Sequence, residues 1–203
     1  MIFSLMVGLT APIGAQDIGL PPPKFQKDVT LYQTLQNRKS ERSFSEKELS
    51  KQHLSNLLWA ASGINRPESG KRTAPTARNA QEIDIYVALK AGLYLYDVKE
   101  HRLVLLDKTD LRGMTGTQDF VGTAPVNLIF VADYDRLRGS EESRKFYSAT
   151  DTGFISQNVY LYCAAEGLAT VVRGSVDREA LAAAMKLRPS QHIILAQTIG
   201  YGK

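Results

Sequence analysis

The feature that most restricts the fold is a pair of adjacent segments in which apolar side chains alternate with others. Residues Ile83–Leu89 and 92–98 are separated only by Lys90 and Ala91, which predicts a β-hairpin. Residues 102–106 add a candidate third strand, and the apolar run 126–132 is typical of a buried central strand. Because the first strands pair as a hairpin and helices are interspersed irregularly, we predict an α+β domain. Its central sheet is mainly antiparallel and flanked by helices, unlike a doubly wound parallel sheet.

The remaining periodicities predict helices, two further strands and three irregular segments. Helices are expected at 29–37, over a stripe at 54–61 that ends at Gly63 and begins after Ser45 or Ser50, at 148–166, and from Asp177 to 187. Strands are expected at 168–172 and 192–199. Residues 64–82 read as a long loop, 110–120 as weakly helical and 133–143 as a polar, mobile excursion.

Composition excludes several classes of protein. The 203 residues are enough for one domain with a sizeable core, and 43% apolar with 23% charged residues is ordinary globular composition. The net charge of +4 comes without a long basic block, so the charge is too diffuse to indicate nucleic-acid binding and better suits small anionic ligands. Cys163 is the only cysteine, and its apolar helical context favours a buried, inert thiol. The three histidines show no metal-ligand spacing.

The first fifteen residues carry no charge and are mostly apolar. Residues 2–9 have the length of a signal-peptide core and 13–15 supply small residues for cleavage, although the usual positive start is missing. We therefore predict a signal peptide at 1–15, hence a periplasmic or secreted protein, or a cytoplasmic one if the segment is not a signal. The alternative is an apolar arm packed on a partner subunit. The segment is too short to remain as a membrane span.

After that segment, three consecutive prolines predict an extended tether over residues 16–28, and residues 29–203 form the predicted domain. No GxGxxG motif follows a strand, and neither a Walker loop nor a GxSxG elbow occurs. These absences argue against nucleotide-binding folds and serine hydrolases.

A basic segment follows the first predicted helix. Arg38 and Arg42 lie four residues apart with Ser40 between them, so two planar guanidinium groups and a hydroxyl can converge on one phosphate. The alternative is a solvated basic helix end, which the helix dipole also favours. In the long loop, Asn79 and Gln81 offer amide donors and acceptors suited to the edge of a heterocycle, with a merely solvated loop as the alternative.

Four motifs occur in one order along the chain: the basic segment 38–44, the Pro-Thr-Ala-Arg-Asn-Ala-Gln loop at 75–81, Thr-Ala-Pro at 123–125 and Glu-Gly-Leu at 166–168. In that order the sequence resembles the nitroreductase family of FMN-dependent oxidoreductases. It is most similar to small members that carry Asn-Leu-Leu-Trp-Ala-Ala, here residues 56–61. The resemblance extends from residue 31 to residue 201 and implies a homodimer with two FMN sites in the subunit interface.

The resemblance also implies the cofactor-binding residues. A first set matches the family motif that grips the FMN phosphate, ribityl chain and pyrimidine edge: Arg38, Lys39 (in place of an arginine), Ser40 and Arg42. A second set matches the loop that the other protomer lays against the flavin: Thr76, Ala77 and Asn79. The remaining positions are Gln118 at the isoalloxazine, Arg173 and Gly174 at the turn whose backbone N–H approaches flavin N5, and Lys203 as a terminal phosphate-binding cation. Many members carry Glu where Arg173 stands.

The implied activity is ping-pong transfer of two electrons from NAD(P)H to a nitroaromatic, quinone or similar small acceptor, whose pocket is expected near residues 133–146. Because NAD(P)H is scarce outside the cytoplasm, an exported enzyme would use another donor or dehydrogenate its substrate. Two alternatives from other classes are a non-catalytic flavin-binding protein and a structural dimer whose basic segment is only surface.

Overall fold

The computed structural model describes residues 16–25 and 28–203. The predicted signal peptide at 1–15 lies outside the described residues, as do residues 26 and 27 of the predicted tether. Within the described part of the chain, no helix is both long and apolar enough to cross a bilayer.

The described residues form nine strands, seven of which make one sheet in which every neighbouring pair is antiparallel. Across the sheet the order is β1-β6-β5-β4-β7-β9-β8, and β2 and β3 form a separate small hairpin. This arrangement confirms the predicted α+β class. The strands are β1 (Ile18–Gly19), β2 (Ile64–Arg66), β3 (Lys71–Arg72), β4 (Ile83–Leu89), β5 (Gly92–Asp97), β6 (Arg102–Asp107), β7 (Val126–Asp133), β8 (Ala169–Arg173) and β9 (Gln191–Gly200).

The core lies on both faces of the sheet. Leu128 and Phe130 of β7 face one cluster, whereas Ile129 and Val131 face the other, as the two-residue period of a strand requires. Every residue of β7 is therefore buried, which explains why its sequence is a continuous apolar run. β7 lies between β4 and β9 at the centre of the domain.

Four helices cover the sheet: α1 (Leu31–Asn37), α2 (Lys51–Ser62), α3 (Glu141–Glu166) and α4 (Arg178–Ala184). α2 and α3 pack against the first cluster, and α4 packs against the second. Of the two predicted caps for α2, Ser50 is the one used, since its side chain accepts a hydrogen bond from the backbone N–H of His53.

Two irregular predictions were wrong in part. α3 begins at Glu141, seven residues before the predicted start, because Ser140 caps it and Glu141 and Glu142 favour the positive end of the helix dipole. Within the segment 133–143, Asp133 ends β7 and Tyr134–Arg136 form a 3₁₀ turn, so only residues 137–140 are irregular. The 64–82 segment is also more ordered than predicted, since it contains the β2–β3 hairpin and two short 3₁₀ turns.

Residues 16–25, here called the N-terminal strap, lie along β6 and α2. β1 pairs with β6, and the Asp17 carboxylate accepts a hydrogen bond from Leu105 N at 2.8 Å. On α2, the hydroxyl of Ser55 donates to the carbonyl of Pro21, and the Asn56 side chain exchanges two hydrogen bonds of 2.7 and 2.8 Å with the backbone of Lys24. The prolines keep the strap extended, and α2 supplies partners for its backbone.

We expect Asn56→Ala to lower the free energy of unfolding by about 1–3 kcal/mol, because it leaves the Lys24 backbone groups without their buried partner. Asn56 is only 3% exposed, so water replaces those bonds poorly. Urea denaturation measures the change, and Asn65→Ala, at an exposed position, is the control. Equal stability of the two variants would show that the hydrogen bonds between Asn56 and Lys24 contribute nothing.

Candidate active site

The basic segment 38–44 lies against the outer edge of β8. The N–H of Glu41 donates to the carbonyl of Thr170 at 3.0 Å, and Phe44 forms an isolated antiparallel bridge with Gly202. These contacts fix the backbone of the segment, while the side chains of Lys39, Ser40 and Arg42 are exposed and Arg38 is half-buried. Predicted binding side chains are thus displayed from a backbone that the sheet edge holds in place.

Tyr160 joins this segment to both β8 and α3. Its hydroxyl accepts a hydrogen bond from Val172 N at 2.9 Å and lies 2.8 Å from Oγ of Ser40. The guanidinium carbon of Arg38 lies 5.4 Å from the centre of the Tyr160 ring, a cation–π distance. When Tyr160 donates to Ser40, the hydroxyl hydrogen of Ser40 remains available for a ligand.

The two other cations of the segment differ in their surroundings. Lys39 pairs with Glu41 at 2.7 Å on the surface, which partly offsets its charge. Arg42 is exposed. A cavity of about 480 Å³ opens beside the segment, between the end of α1, α3 and β8; Lys39, Glu41, Tyr160 and Thr170 are among its lining residues.

A second group of predicted residues lies at the C-terminal end of β8, which is Arg173. The N–H of Thr117 donates to the carbonyl of Ser175 at 3.2 Å, so the loop 115–118 is tied to the turn 173–175. Gly174 in that turn is exposed. Within the described residues, Oε1 of Gln118 is buried without a hydrogen-bond partner, which leaves an acceptor for a ligand. Gln118 and Gly174 therefore belong to two segments that the hydrogen bond between Thr117 and Ser175 joins.

The side chain of Arg173 points into the protein and is only 5% exposed. Its guanidinium donates to the carbonyl of Thr115 at 2.7 Å, to Oδ1 of Asn127 at 3.1 Å and to Oγ1 of Thr198 at 3.1 Å. Burial lowers the pKa of Arg173 to about 10, so it stays charged at neutral pH. Of this pair of predicted residues, only Gly174 faces outward.

The predicted flavin loop of the other protomer has an unusual backbone. Arg78, Asn79 and Gln81 all have positive φ, of 55°, 54° and 51°, a region that L residues rarely occupy. Thr76 stabilises this shape by accepting a hydrogen bond from Gln81 N at 3.0 Å, and Ala77 N donates to Oδ2 of Asp151 at 2.8 Å. Asn79 is exposed at the tip. Strain of this kind concentrates at functional sites.

Within one chain, this loop and the basic segment contact different turns of α3. Asp151 holds the loop and Tyr160 holds Ser40, and these positions are nine residues apart (160 − 151). At 1.5 Å per residue they are separated by about 13 Å along the helix. Lys203 is exposed and directly follows Gly202, so it lies at the Phe44 end of the basic segment.

Asp151 also faces Glu82, which has no exposed surface. Neither carboxylate oxygen of Glu82 has a donor partner among the described residues. Burial, and after it the charge of Asp151, raises the pKa of Glu82 to about 7. Glu82 therefore holds a proton at mildly acidic pH.

Sequence reasoning missed Tyr160, Asp151 and Glu82. One signal was present, because Asp151 occupies the same helical face as the apolar Ile155 and Val159, where a carboxylate is unexpected. Tyr160 carried no such signal. Within the described residues, no cluster of three or more His, Cys, Asp or Glu side chains could hold a metal ion.

Comparison with known proteins now decides the family, since the model of the nitroreductase family matches residues 35–201. The chain belongs to the nitroreductase family. Membership makes it an oxidoreductase. It also confirms the predicted family and places the matched motifs within one contiguous family domain.

Individual relatives agree over nearly the whole chain. A protein of Methanocaldococcus jannaschii described as a nitroreductase is 29% identical over 185 residues, which are 86% of this chain and 92% of that protein. A crystal structure of a Ralstonia eutropha JMP134 protein, also described as a nitroreductase, is 45% identical, covers 95% of this chain and 92% of its own, and has a TM-score of 0.89. A Desulfovibrio desulfuricans nitroreductase crystallised with FMN shares the fold, at 19% identity, 87% and 88% coverage and a TM-score of 0.63.

We expect the buried carboxyl pair to make stability pH-dependent. The raised pKa of Glu82 means that the folded state holds this proton more tightly than the unfolded state. The free energy of unfolding should therefore fall as pH rises from about 4.5 towards about 7. Glu82→Gln should remove roughly 1–3 kcal/mol of that fall between pH 5 and pH 8.

Urea denaturation at the two pH values measures this slope. Glu100→Gln is the matched control, because Glu100 is exposed. If the free energy of unfolding changed with pH by the same amount in Glu82→Gln, in Glu100→Gln and in the unaltered protein, the raised pKa of Glu82 would be ruled out.

Proposed function

We propose that this protein is an FMN-dependent oxidoreductase that works as a homodimer. The observation that carries the proposal is the convergence, along β8, of the basic segment, the loop 115–118 and the turn at Gly174. This convergence supports the proposal because cations suited to a phosphate lie along β8, and an unpartnered acceptor suited to a heterocycle edge lies near the end of the same strand.

The residues present suit FMN. A phosphate needs planar or point cations and hydroxyl donors, which Arg38, Lys39, Ser40 and Arg42 supply on an anchored backbone. A heterocycle edge needs amide and backbone hydrogen bonds, and the unpartnered Oε1 of Gln118 is an acceptor buried for such use. Lys203 would add a further cation near the phosphate.

The protein's own part is to bind and to orient. The guanidinium groups of Arg38 and Arg42 would neutralise the phosphate, and the exposed N–H of Gly174 would orient the ring. When bound, FMN would supply two-electron redox chemistry between NAD(P)H or another donor and a nitroaromatic, quinone or similar small acceptor, used in ping-pong order. The described site contains no histidine or carboxylate placed as a general acid or base, which this chemistry does not require.

The electron donor depends on the compartment. NAD(P)H is expected for an enzyme that stays in the cytoplasm. If residues 1–15 act as the predicted signal, the enzyme would use another reduced donor or dehydrogenate its substrate. Both variants of the proposal share the same FMN site.

Exposed apolar side chains support the dimer. On α1, Leu31 and Tyr32 are 65% and 70% exposed, and on α3, Phe146 and Phe154 are 65% and 45% exposed. A soluble protein rarely leaves so many large apolar side chains in water without a partner. These side chains follow the outer faces of two adjacent helices, so they outline one interface.

The two-fold symmetry of a homodimer would relate this interface to the FMN site. On α3, the point halfway between Asp151 and Tyr160 lies between residues 155 and 156. The exposed Phe154 is close to this point, and before it comes Gly153, where an added Cβ atom would meet no other atom within 4 Å. Two α3 helices that cross antiparallel at this point would bring Asp151 of one chain opposite Tyr160 of the other. The strained loop at 76–79 would then face the basic segment of the second chain.

The purified protein should absorb as a flavoprotein, or take up added FMN, and oxidise NADH or NADPH with a quinone or nitroaromatic as acceptor. Arg42→Ala should weaken FMN binding roughly 10- to 100-fold, because a hydrogen bond to a charged group contributes about 1.5–3 kcal/mol. Titration of the apoprotein followed by flavin fluorescence measures the affinity.

Lys99→Ala, which removes an exposed cation elsewhere, should leave the FMN affinity unchanged. FMN binding without turnover by any donor would favour the binding-protein alternative. Absence of FMN binding in the unaltered protein would overturn the proposal.

The dimer is tested separately. Phe154→Asp should convert the protein to monomers in sedimentation velocity and lower its affinity for FMN, because a carboxylate would be buried at the centre of the interface. Leu106→Asp, on β6 and as exposed as Phe154 (44% against 45%), should stay dimeric. A monomeric wild-type protein that binds FMN fully would exclude the shared site.

A further inference from the structure

The guanidinium of Arg173 is a buried charge held only by neutral groups. Its hydrogen-bond acceptors are the oxygens of Thr115, Asn127 and Thr198. Within residues 16–25 and 28–203, no ion pair joins it to a carboxylate, and burial alone accounts for the change in its pKa. Buried charges in proteins are usually paired, because an unpaired one is costly to desolvate.

Three separate segments are shaped to hold this charge. Asn127 belongs to β7 and Thr198 to β9, and both are fully buried. The third segment is the loop 115–118, where Gly116 passes so close that a Cβ atom there would lie 1.9 Å from Nη1 of Arg173. Only glycine leaves room for the guanidinium, so the loop and the charge fit each other.

The charge lies directly behind the surface that the proposed function assigns to the heterocycle. Arg173 precedes the exposed Gly174, and Thr117 N is bonded to Ser175 on the other side of that turn. The Cβ position of Gly116 is also 2.8 Å from the unpartnered Oε1 of Gln118. Since 1.9 and 2.8 Å together make 4.7 Å, Nη1 of Arg173 and this unpartnered acceptor lie within 4.7 Å of each other. Both atoms are buried, so little water screens the charge.

We propose that Arg173 sets the redox poise of the bound flavin by stabilising its reduced, anionic form through space. This inference rests on the proposed FMN dependence. The isoalloxazine is neutral when oxidised and gains one negative charge on taking up two electrons and one proton. The electrons come from a reduced nicotinamide or from dithionite in a titration. A fixed positive charge nearby favours the product of that step and raises the midpoint potential.

In this proposal Arg173 contacts neither the phosphate nor the ring of FMN. It acts on the ring only through its electric field, so it is a positioning residue rather than a catalytic one. Exposed cations of the basic segment are screened by solvent and by the phosphate they bind, whereas the buried guanidinium keeps its full effect. Because no carboxylate among the described residues forms an ion pair with Arg173, the reduced flavin would be its counter-charge.

The test measures the midpoint potential of the FMN-loaded full-length protein by anaerobic reduction against a reference dye. Arg173→Met should lower the preference for reduced over oxidised FMN tenfold or more, which corresponds to about 30 mV for a two-electron couple. Arg173→Lys, which keeps the charge, should stay within threefold of the unaltered protein. Arg102→Met, at an exposed position on the opposite side of the sheet, should show no change.

A second variant avoids removing the buried side chain. Asn127→Asp places a carboxylate 3.1 Å from Nη2 of Arg173 and neutralises it in place, at the loss of one hydrogen bond to Val121. It should shift the potential in the same direction as Arg173→Met. It also decides the matter if Arg173→Met does not fold.

An unchanged potential in Arg173→Met or in a folded Asn127→Asp overturns the inference while leaving FMN dependence intact. An equal shift in Arg102→Met overturns it as well, because overall charge would then be the cause. Failure of the unaltered protein to bind FMN overturns the proposed function, and this inference with it.

Discussion

The outer edge of β8 is the constraint on which the candidate site depends. An edge strand exposes unpaired backbone groups, and here they are occupied by the site itself. The carbonyl of Thr170 accepts from Glu41, and the N–H of Val172 donates to Tyr160. The same hydrogen bonds that protect the edge therefore hold the basic segment in place, and Tyr160 transmits the position of α3 to both.

The buried ionisable side chains Glu82, Asp151 and Arg173 are accommodated in different ways. Glu82 and Asp151 are close together, and a proton reduces the repulsion between them. Arg173 keeps its charge and is surrounded by neutral acceptors. The acidic pair lies beneath the strained loop and the cation lies beneath the turn at Gly174, so each predicted flavin-contacting segment rests on a buried ionisable group.

Local sequence signals predicted most of the fold because they act over short distances. The hairpin at Lys90 and Ala91, the Ser50 cap and the apolar run of β7 each depend on neighbours in the chain. The predicted start of α3 was wrong because residues 141–145 are all polar, and the helix there depends on the Ser140 cap and the acidic first turn. The site residues came from motif resemblance. Tyr160, Asp151 and Glu82 could not be found that way, since their roles arise only when α3 packs beside β8 and the 76–82 loop.

The N-terminal strap has a practical consequence for handling the protein. β1 and β8 occupy opposite margins of a seven-stranded sheet, and six spacings of about 4.8 Å put them roughly 29 Å apart. Because the strap is clamped to β6 and α2, anything fused before Gln16 is anchored at the margin remote from β8. An affinity handle or surface linker attached there would tether the molecule with its β8 margin turned away from the support.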